Sequence, residues 1–271
     1  MISRKTKRLM NEIKELEESK DILKESGIYF DYSEDNLDKI NILFIGPEKT
    51  PYEKGFYFFD LTYPENYPMT PPVMKYNTQG CLVNKKQDLV KIRFNPNLYT
   101  NGKVCLSMLN TWKGPGWVPT NTITNILVAI QALVFNDEPL KNEPGFENSD
   151  QKMIDSYSKV INYANYKISI IDQLNSKNLG KFSVFKNEMI NYFKENIEIY
   201  DNLIKILCHE SESIKKDEEV TTPAYGMNVY LHYNFLLECY ESLKKKLMKE
   251  EKCSESLCNF SDIKEKEKDN V

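Results

Sequence analysis

The stretch NPNLYTNGKVCLSMLNTW, residues 95–112, sets one cysteine, Cys105, between a turn-rich segment and a short apolar run. A cysteine serves as a nucleophile when it can form a thiolate, when a donor awaits the oxyanion created on attack, and when a second substrate can reach it. The Asn-Pro-Asn and Asn-Gly sequences hold the backbone in turns just before the cysteine. The thiol is therefore expected to face a groove, with the Asn97 amide as the donor. Trp112 and Trp117, the two tryptophans of the chain, follow closely enough to wall off one side. The competing reading is a small buried hydrophobe, the usual state of an unpaired cysteine, and composition alone favours it.

The histidines narrow the chemistry. A papain-like protease needs an imidazole beside its sulfur, and His209 and His232 lie more than a hundred residues downstream, in a region of helical character. Transfer of an acyl group between thiols, followed by attack of an amine on the thioester, makes no such demand, because a thioester is already activated. No CxxC or HxxxH spacing accompanies the histidines, so neither a metal nor another cofactor is expected. The segment CHE at 208–210 reads as helix surface.

Around this segment, the elements alternate and then become uniformly helical. From residue 3 to about 24, Leu9, Ile13 and Leu16 recur at helical spacing among charged residues, which predicts an amphipathic N-terminal helix. GIYFDYS (27–33), DKINILFIG (38–46) and GFYFFDLTY (55–63) are β-branched and aromatic runs parted by turn formers, and VMKY (73–76) follows a proline-rich loop. They predict a four-stranded antiparallel meander in an α+β fold. Ile123, Ile126, Leu127, Ile130, Leu133 and Val134 make one helical face, with its N-cap among Thr120–Thr122. Met153, Tyr157, Val160, Ala164, Ile168 and Ile171 make another, and further helices are expected near 183–208 and 227–248. The sheet is expected to stay within the first half.

A chain of 271 residues can bury a sizeable core without disulfides. Its net charge of −4 argues against nucleic acid as the main partner. No apolar run is long enough to span a bilayer, and MISRKTKRLMNEIKELEESK has no apolar block of a signal peptide. A soluble intracellular protein, cytoplasmic and/or nuclear, with reduced cysteines is expected.

The order RLMNEIKEL, GPEKTPYEKGFYFFDLTYPENYPMTPPV, RFNPNLYTNGKVCLSML, WVP and a following apolar helix resembles the catalytic domain of ubiquitin-conjugating enzymes over residues 4–175. NTWKGPGW and NEPGFENSDQ resemble most the subgroup found at the C-terminal end of very large hybrid conjugating and ligating proteins. The resemblance implies the ubiquitin-conjugating fold over residues 1–175; the helical periodicity that continues beyond it predicts a helical extension at 176–248, and the charged stretch poor in apolar residues at 249–271 reads as a disordered tail. By position, Cys105 is the residue that holds ubiquitin as a thioester. Asn97 is the last residue of the family's His-Pro-Asn motif, supporting the oxyanion or bracing the loop. Asn95 stands where that motif has histidine; it can replace some imidazole hydrogen bonds but cannot change charge near neutral pH, which makes it structural. Glu143, with Asp137 as the alternative, matches the acidic residue that orients or deprotonates the incoming lysine.

The resemblance also implies partners. Arg4, Lys5, Lys7 and Arg8 lie on the helix that docks the ubiquitin-activating enzyme, unless they form a solvated basic face. Met69, Val118, Pro119 and Thr120 fall in the two loops that contact ubiquitin ligases. ATP is consumed upstream, by the activating enzyme, and no cofactor is implied for the chain itself. A ubiquitin-conjugating enzyme passing ubiquitin through Cys105 to a substrate lysine is the first expectation. A non-catalytic binding module of the same fold is the second, and a thiol protease the third.

Overall fold

The computed structural model describes residues 3–266, with side chains described as far as residue 249. Helix α1 (Arg4–Glu18) begins at Ser3, whose hydroxyl accepts the Thr6 N–H, and turns Leu9, Ile13 and Leu16 inward. After the short α2 (Lys20–Glu25) come β1 (Ile28–Ser33), β2 (Asn36–Ile45), β3 (Phe56–Thr62) and β4 (Val73–Tyr76). These pair as one antiparallel sheet in the order β1-β2-β3-β4, the expected meander.

The sheet register divides the aromatic residues between two layers. Ile42 opposes Phe59 and Phe44 opposes Tyr57, so these four share one face. There Phe44, Tyr57 and Phe59 close on Phe135, with ring centroids 5.7, 4.8 and 6.3 Å away. Phe58 points to the opposite face and stacks on Phe182 at 4.7 Å, while Phe56 meets Tyr192. A strand covered on both sides has no reason to alternate, which is why β3 opens with an unbroken aromatic run.

Beyond the sheet, β5 (Cys81–Val83) and β6 (Leu89–Lys91) form a hairpin within the polar insertion. Helix α3 (Ile123–Leu133) is capped by Thr122 and Asn125 in a reciprocal capping box. Its Ile123 N–H donates to Glu12 Oε2 at 2.9 Å, and the Thr122 hydroxyl donates to Glu15 at 2.8 Å. Two carboxylates of α1 thus meet the positive end of α3. Glu12 is only 2% exposed and also accepts from Arg8 and from the Tyr67 hydroxyl.

The stripe expected at 153–171 forms α4 (Gln151–Ala164), which widens into a π-helical segment, Asn165–Asp172, before the single turn α5 (Gln173–Asn175). Buried Asn165 holds the junction. Its Oδ1 accepts from the Tyr57 hydroxyl at 2.6 Å and its Nδ2 donates to the Glu53 carbonyl at 2.8 Å. Gly55 admits this side chain, since a Cβ there would lie 1.8 Å from Asn165 Oδ1.

The second half departs from the sequence reading in three respects. After α6 (Lys186–Glu195) and α7 (Ile197–Cys208) the chain forms two small hairpins, β7 (His209–Glu210) with β8 (Ser213–Ile214) and β9 (Glu218–Thr221) with β10 (Asn228–Leu231). Strands are therefore not confined to the first half; these are short and rich in charge, so they carry little hydrophobic alternation. CHE is not helix surface, because Cys208 is fully buried and His209 opens β7. The last helix, α8 (Tyr233–Lys266), runs on through most of the stretch expected to be a disordered tail. Lys- and Glu-rich sequence is a good helix former even when it is too polar to build a core. Residues 267–271, the rest of that stretch, lie outside the described residues. One apolar core runs from Leu9 to Leu247, so the extension and the sheet domain share it. Among the described residues, no helix is long and apolar enough to cross a membrane.

Candidate active site

Four asparagines build the scaffold around Cys105, two of them anticipated from the sequence and two not. Asn95 is fully buried. Its Nδ2 donates to the Tyr52 hydroxyl (2.9 Å) and to the Val134 carbonyl (2.7 Å), and its Oδ1 accepts the Asn97 N–H (2.8 Å). Burial raises the Tyr52 pKa, so the phenol stays protonated and donates to the Phe94 carbonyl. This is the structural role expected of Asn95. A side chain that presents two donors and an acceptor at once fills the position without a change of charge.

Asn97 grips the cysteine from both sides. Its Nδ2 donates to the Cys105 carbonyl at 2.7 Å, and its backbone carbonyl accepts the Cys105 N–H at 2.8 Å. Of the two roles implied for Asn97, the bonds present here are those of a loop brace. Asn142 completes the arrangement, with Nδ2 donating to Asn97 Oδ1 (3.0 Å) and the Leu133 carbonyl (2.9 Å), and Oδ1 accepting from Asn136 (2.8 Å). Asn136 and Asn142 were missed because nothing in their local pattern marks them. Their only signal is proximity in sequence to Asp137 and Glu143.

The thiol does not stand open as expected: Cys105 is 1% exposed. The turns before it draw the backbone at 105 inward onto Asn97. A groove of about 290 Å³ lies alongside, lined by Asn97, Leu106, Ser107, Trp112, Leu133 and Asn142 among others. Trp112 is 40% exposed and walls it as anticipated, whereas Trp117 is buried elsewhere. The other described cysteines lack these surroundings. Cys208 belongs to the apolar core, where burial pushes its thiol up to about 12. Cys239 is also raised by burial, and Cys81 is exposed on the edge hairpin. Cys105 is closed as well, between the core residues Val104 and Leu106, and differs from the others in its contacts with Asn97.

Neither acidic candidate lines that groove. Asp137 is exposed. Glu143 is half-buried, and its Oε2 accepts a hydrogen bond from the Tyr225 hydroxyl. Burial and then this bond raise the Tyr225 pKa, which keeps the hydroxyl a donor. No group of His, Cys, Asp and Glu among the described residues could hold a metal ion.

The four basic residues expected to meet a partner, Arg4, Lys5, Lys7 and Arg8 of α1, divide into two pairs. Lys5 pairs with Asp38 at 2.9 Å, and Arg8 with Glu12 and the Asn121 carbonyl, so both fasten α1 to the domain. Arg4 and Lys7 are exposed. Met69, Val118, Pro119 and Thr120 are all exposed, Met69 to 65%. Their two loops are tied together by buried Trp117, whose indole N–H donates to the Pro68 carbonyl at 2.7 Å. Each loop thus carries exposed residues next to a position held by this bond.

A family profile described as "Ubiquitin-conjugating enzyme" matches residues 8–167, more than half of the chain. Over 181 residues the chain is 36% identical to ubiquitin-conjugating enzyme E2 Z of Danio rerio, covering 64% of this chain and 50% of the relative. The human E2 Z is 40% identical over 146 residues, covering 52% of this chain and 38% of the relative. The human dual E2 ubiquitin-conjugating enzyme/E3 ubiquitin-protein ligase BIRC6 is 39% identical over 149 residues, covering 54% of this chain and 3% of the relative. The chain thus spans half or less of the length of these relatives.

Proposed function

The chain belongs to the ubiquitin-conjugating enzyme family, and from that membership we propose that it accepts ubiquitin from an activating enzyme as a thioester on Cys105 and passes it to a lysine amine. The observation that carries this reading is the clasp of Asn97 on both backbone groups of Cys105 beside an open groove. In the first step the Cys105 thiolate attacks the carbonyl of the incoming thioester. A new C–S bond forms as the old one breaks, and the donor's thiolate leaves. In the second, a lysine amine attacks the same carbonyl, the C–N bond forms, the amine proton is lost, and the Cys105 thiolate departs.

Because the thiol is closed in the free chain, loading includes a local opening that turns Cys105 into the groove. Asn97 Nδ2 already stands at the cysteine; once released from the Cys105 carbonyl it is a donor for the oxyanion. Glu143 is the acidic residue that orients the acceptor amine. Arg4 and Lys7 are the two basic residues of α1 free to meet the activating enzyme, and the surface of Met69, Val118, Pro119 and Thr120 suits a ligase. The protein works inside the cell, where its thiols stay reduced.

Incubation with ubiquitin, an activating enzyme and ATP tests the proposal. The wild type is expected to gain one ubiquitin that reductant removes, and Cys105→Ser a reductant-resistant oxyester. A wild type that gains none, across a panel of activating enzymes and ubiquitin-like modifiers, overturns it.

A further inference from the structure

The turn between β9 and β10 reaches out of the extension to the loop that carries the active-site cysteine. Tyr225, at its tip, is the hydroxyl that donates to Glu143. Its ring also lies against the Arg93 guanidinium at 4.1 Å, and Tyr99 covers the opposite side at 3.8 Å. Arg93 Nη2 donates at 2.6 Å to the carbonyl of Pro96, the middle residue of the Asn-Pro-Asn loop. The Arg93 N–H donates to Met227 Sδ at 3.2 Å, and the Tyr157 hydroxyl donates to the Arg93 carbonyl at 2.7 Å. One residue of the extension therefore touches both the acidic candidate and the strut under the cysteine loop.

The turn itself is held in an unfavourable shape. Tyr225 has φ of 65°, in the left-handed region where a bulky side chain is a rarity. Such conformations persist where surrounding bonds over-determine them, and they gather at functional sites. Here Thr222 supplies the bonds: its hydroxyl donates to the Ala224 carbonyl at 2.7 Å and accepts the Met227 N–H at 3.0 Å, and its backbone N–H donates to the Met227 carbonyl. The strain presents the ring of Tyr225 to Arg93 and its hydroxyl to Glu143.

We propose that Tyr225 is a positioning residue of the conjugation site, its hydroxyl aiming the Glu143 carboxylate and its ring fixing the Asn-Pro-Asn loop through Arg93. The hydroxyl and the ring then have separable effects. The extension acts as a working part of the site, and its loss is felt in catalysis as well as in folding. The aiming role rests on the function proposed above; the role of the ring does not.

Two variants distinguish the effects. Tyr225→Phe keeps the ring and is expected to load ubiquitin like the wild type. Its thioester is expected to discharge to free lysine about three- to tenfold more slowly, the loss associated with a partly exposed hydrogen bond to a charged group. In a Glu143→Gln background the same change is expected to have no effect. Tyr225→Ala frees the loop, so peptide-resolved maleimide labelling at Cys105 is expected to rise severalfold, while Tyr225→Phe labels at the wild-type rate. A Tyr225→Phe effect that persists without Glu143, or no change in discharge at any pH, overturns the aiming role. Equal Cys105 labelling in wild type and Tyr225→Ala overturns the role of the ring, whether or not the chain loads ubiquitin. Absence of loading in the wild type with altered labelling in Tyr225→Ala refutes the proposed function and the aiming role, and leaves the ring's role standing.

Discussion

Asn95 offers the sharpest test of how the cysteine loop is built. Replacing it with alanine removes four hydrogen bonds and leaves the Val134 carbonyl and the Asn97 N–H without those partners, while Asn142 loses a long 3.4 Å bond and keeps those to Asn97 and Leu133. Tyr52 keeps its bond to the Phe94 carbonyl and loses less. A buried polar group stripped of its partner costs about 1–3 kcal/mol, so two of them give a loss of about 2–6 kcal/mol. Asn95→Asp adds a dependence on pH. The aspartate side chain places an oxygen where Nδ2 now lies 2.7 Å from the Val134 carbonyl. As a carboxylate it has no proton for that contact, and burial penalises its charge. Both effects raise its folded pKa above the unfolded value of about 3.9. A group with a raised folded pKa contributes its stability below the unfolded pKa and loses it as pH climbs through the folded one. The gap in urea midpoint between wild type and Asn95→Asp is therefore expected to widen from pH 4.5 to 7.5. A gap that stays constant or narrows, or an Asn95→Ala variant within about 0.5 kcal/mol of wild type, refutes the brace.

Gly55→Ala is expected to lower the melting temperature with a loss above about 2 kcal/mol, because its Cβ meets Asn165 Oδ1 at 1.8 Å; a melt like wild type would show that the π-helical segment yields freely. Met69→Ala and Val118→Asp are expected to leave ubiquitin loading intact and to reduce ligase-stimulated discharge, so slower loading would move that surface to another partner. Among the cysteines whose side chains are described, maleimide at pH 7.5 is expected to label exposed Cys81 first and to spare Cys208, whose thiol is pushed up to about 12 by burial, until urea unfolds the chain. The same raised pKa predicts that the stability contributed by neutral Cys208 is complete below about pH 9 and falls as pH rises towards 12.

The sheet was legible because each strand is an aromatic or β-branched run bounded by turn formers, and α3 because Thr122 caps an apolar face. Those are local signals. Buried Glu12 and the half-buried pair Asn136 and Asn142 were not legible, since a polar residue held by the fold looks the same in sequence as one in water; only its partners make the difference. The closure of Cys105 was hidden for the same reason. The turns before it are compatible with a thiol facing in or out, and the choice is made by Asn97, whose own amide is held by Asn142. Tyr225 lay furthest from view. It comes from a hairpin without strong alternation and meets Glu143 across 82 residues of chain.

The most direct test of the account is to locate the acyl group. After loading with ubiquitin, digestion under mildly acidic, reductant-free conditions and mass spectrometry are expected to find the glycine-glycine remnant on the peptide containing Cys105, with hydroxylamine releasing it. A remnant on Cys81 or on a lysine, with the Cys105 peptide unmodified, would contradict the assignment of this cysteine.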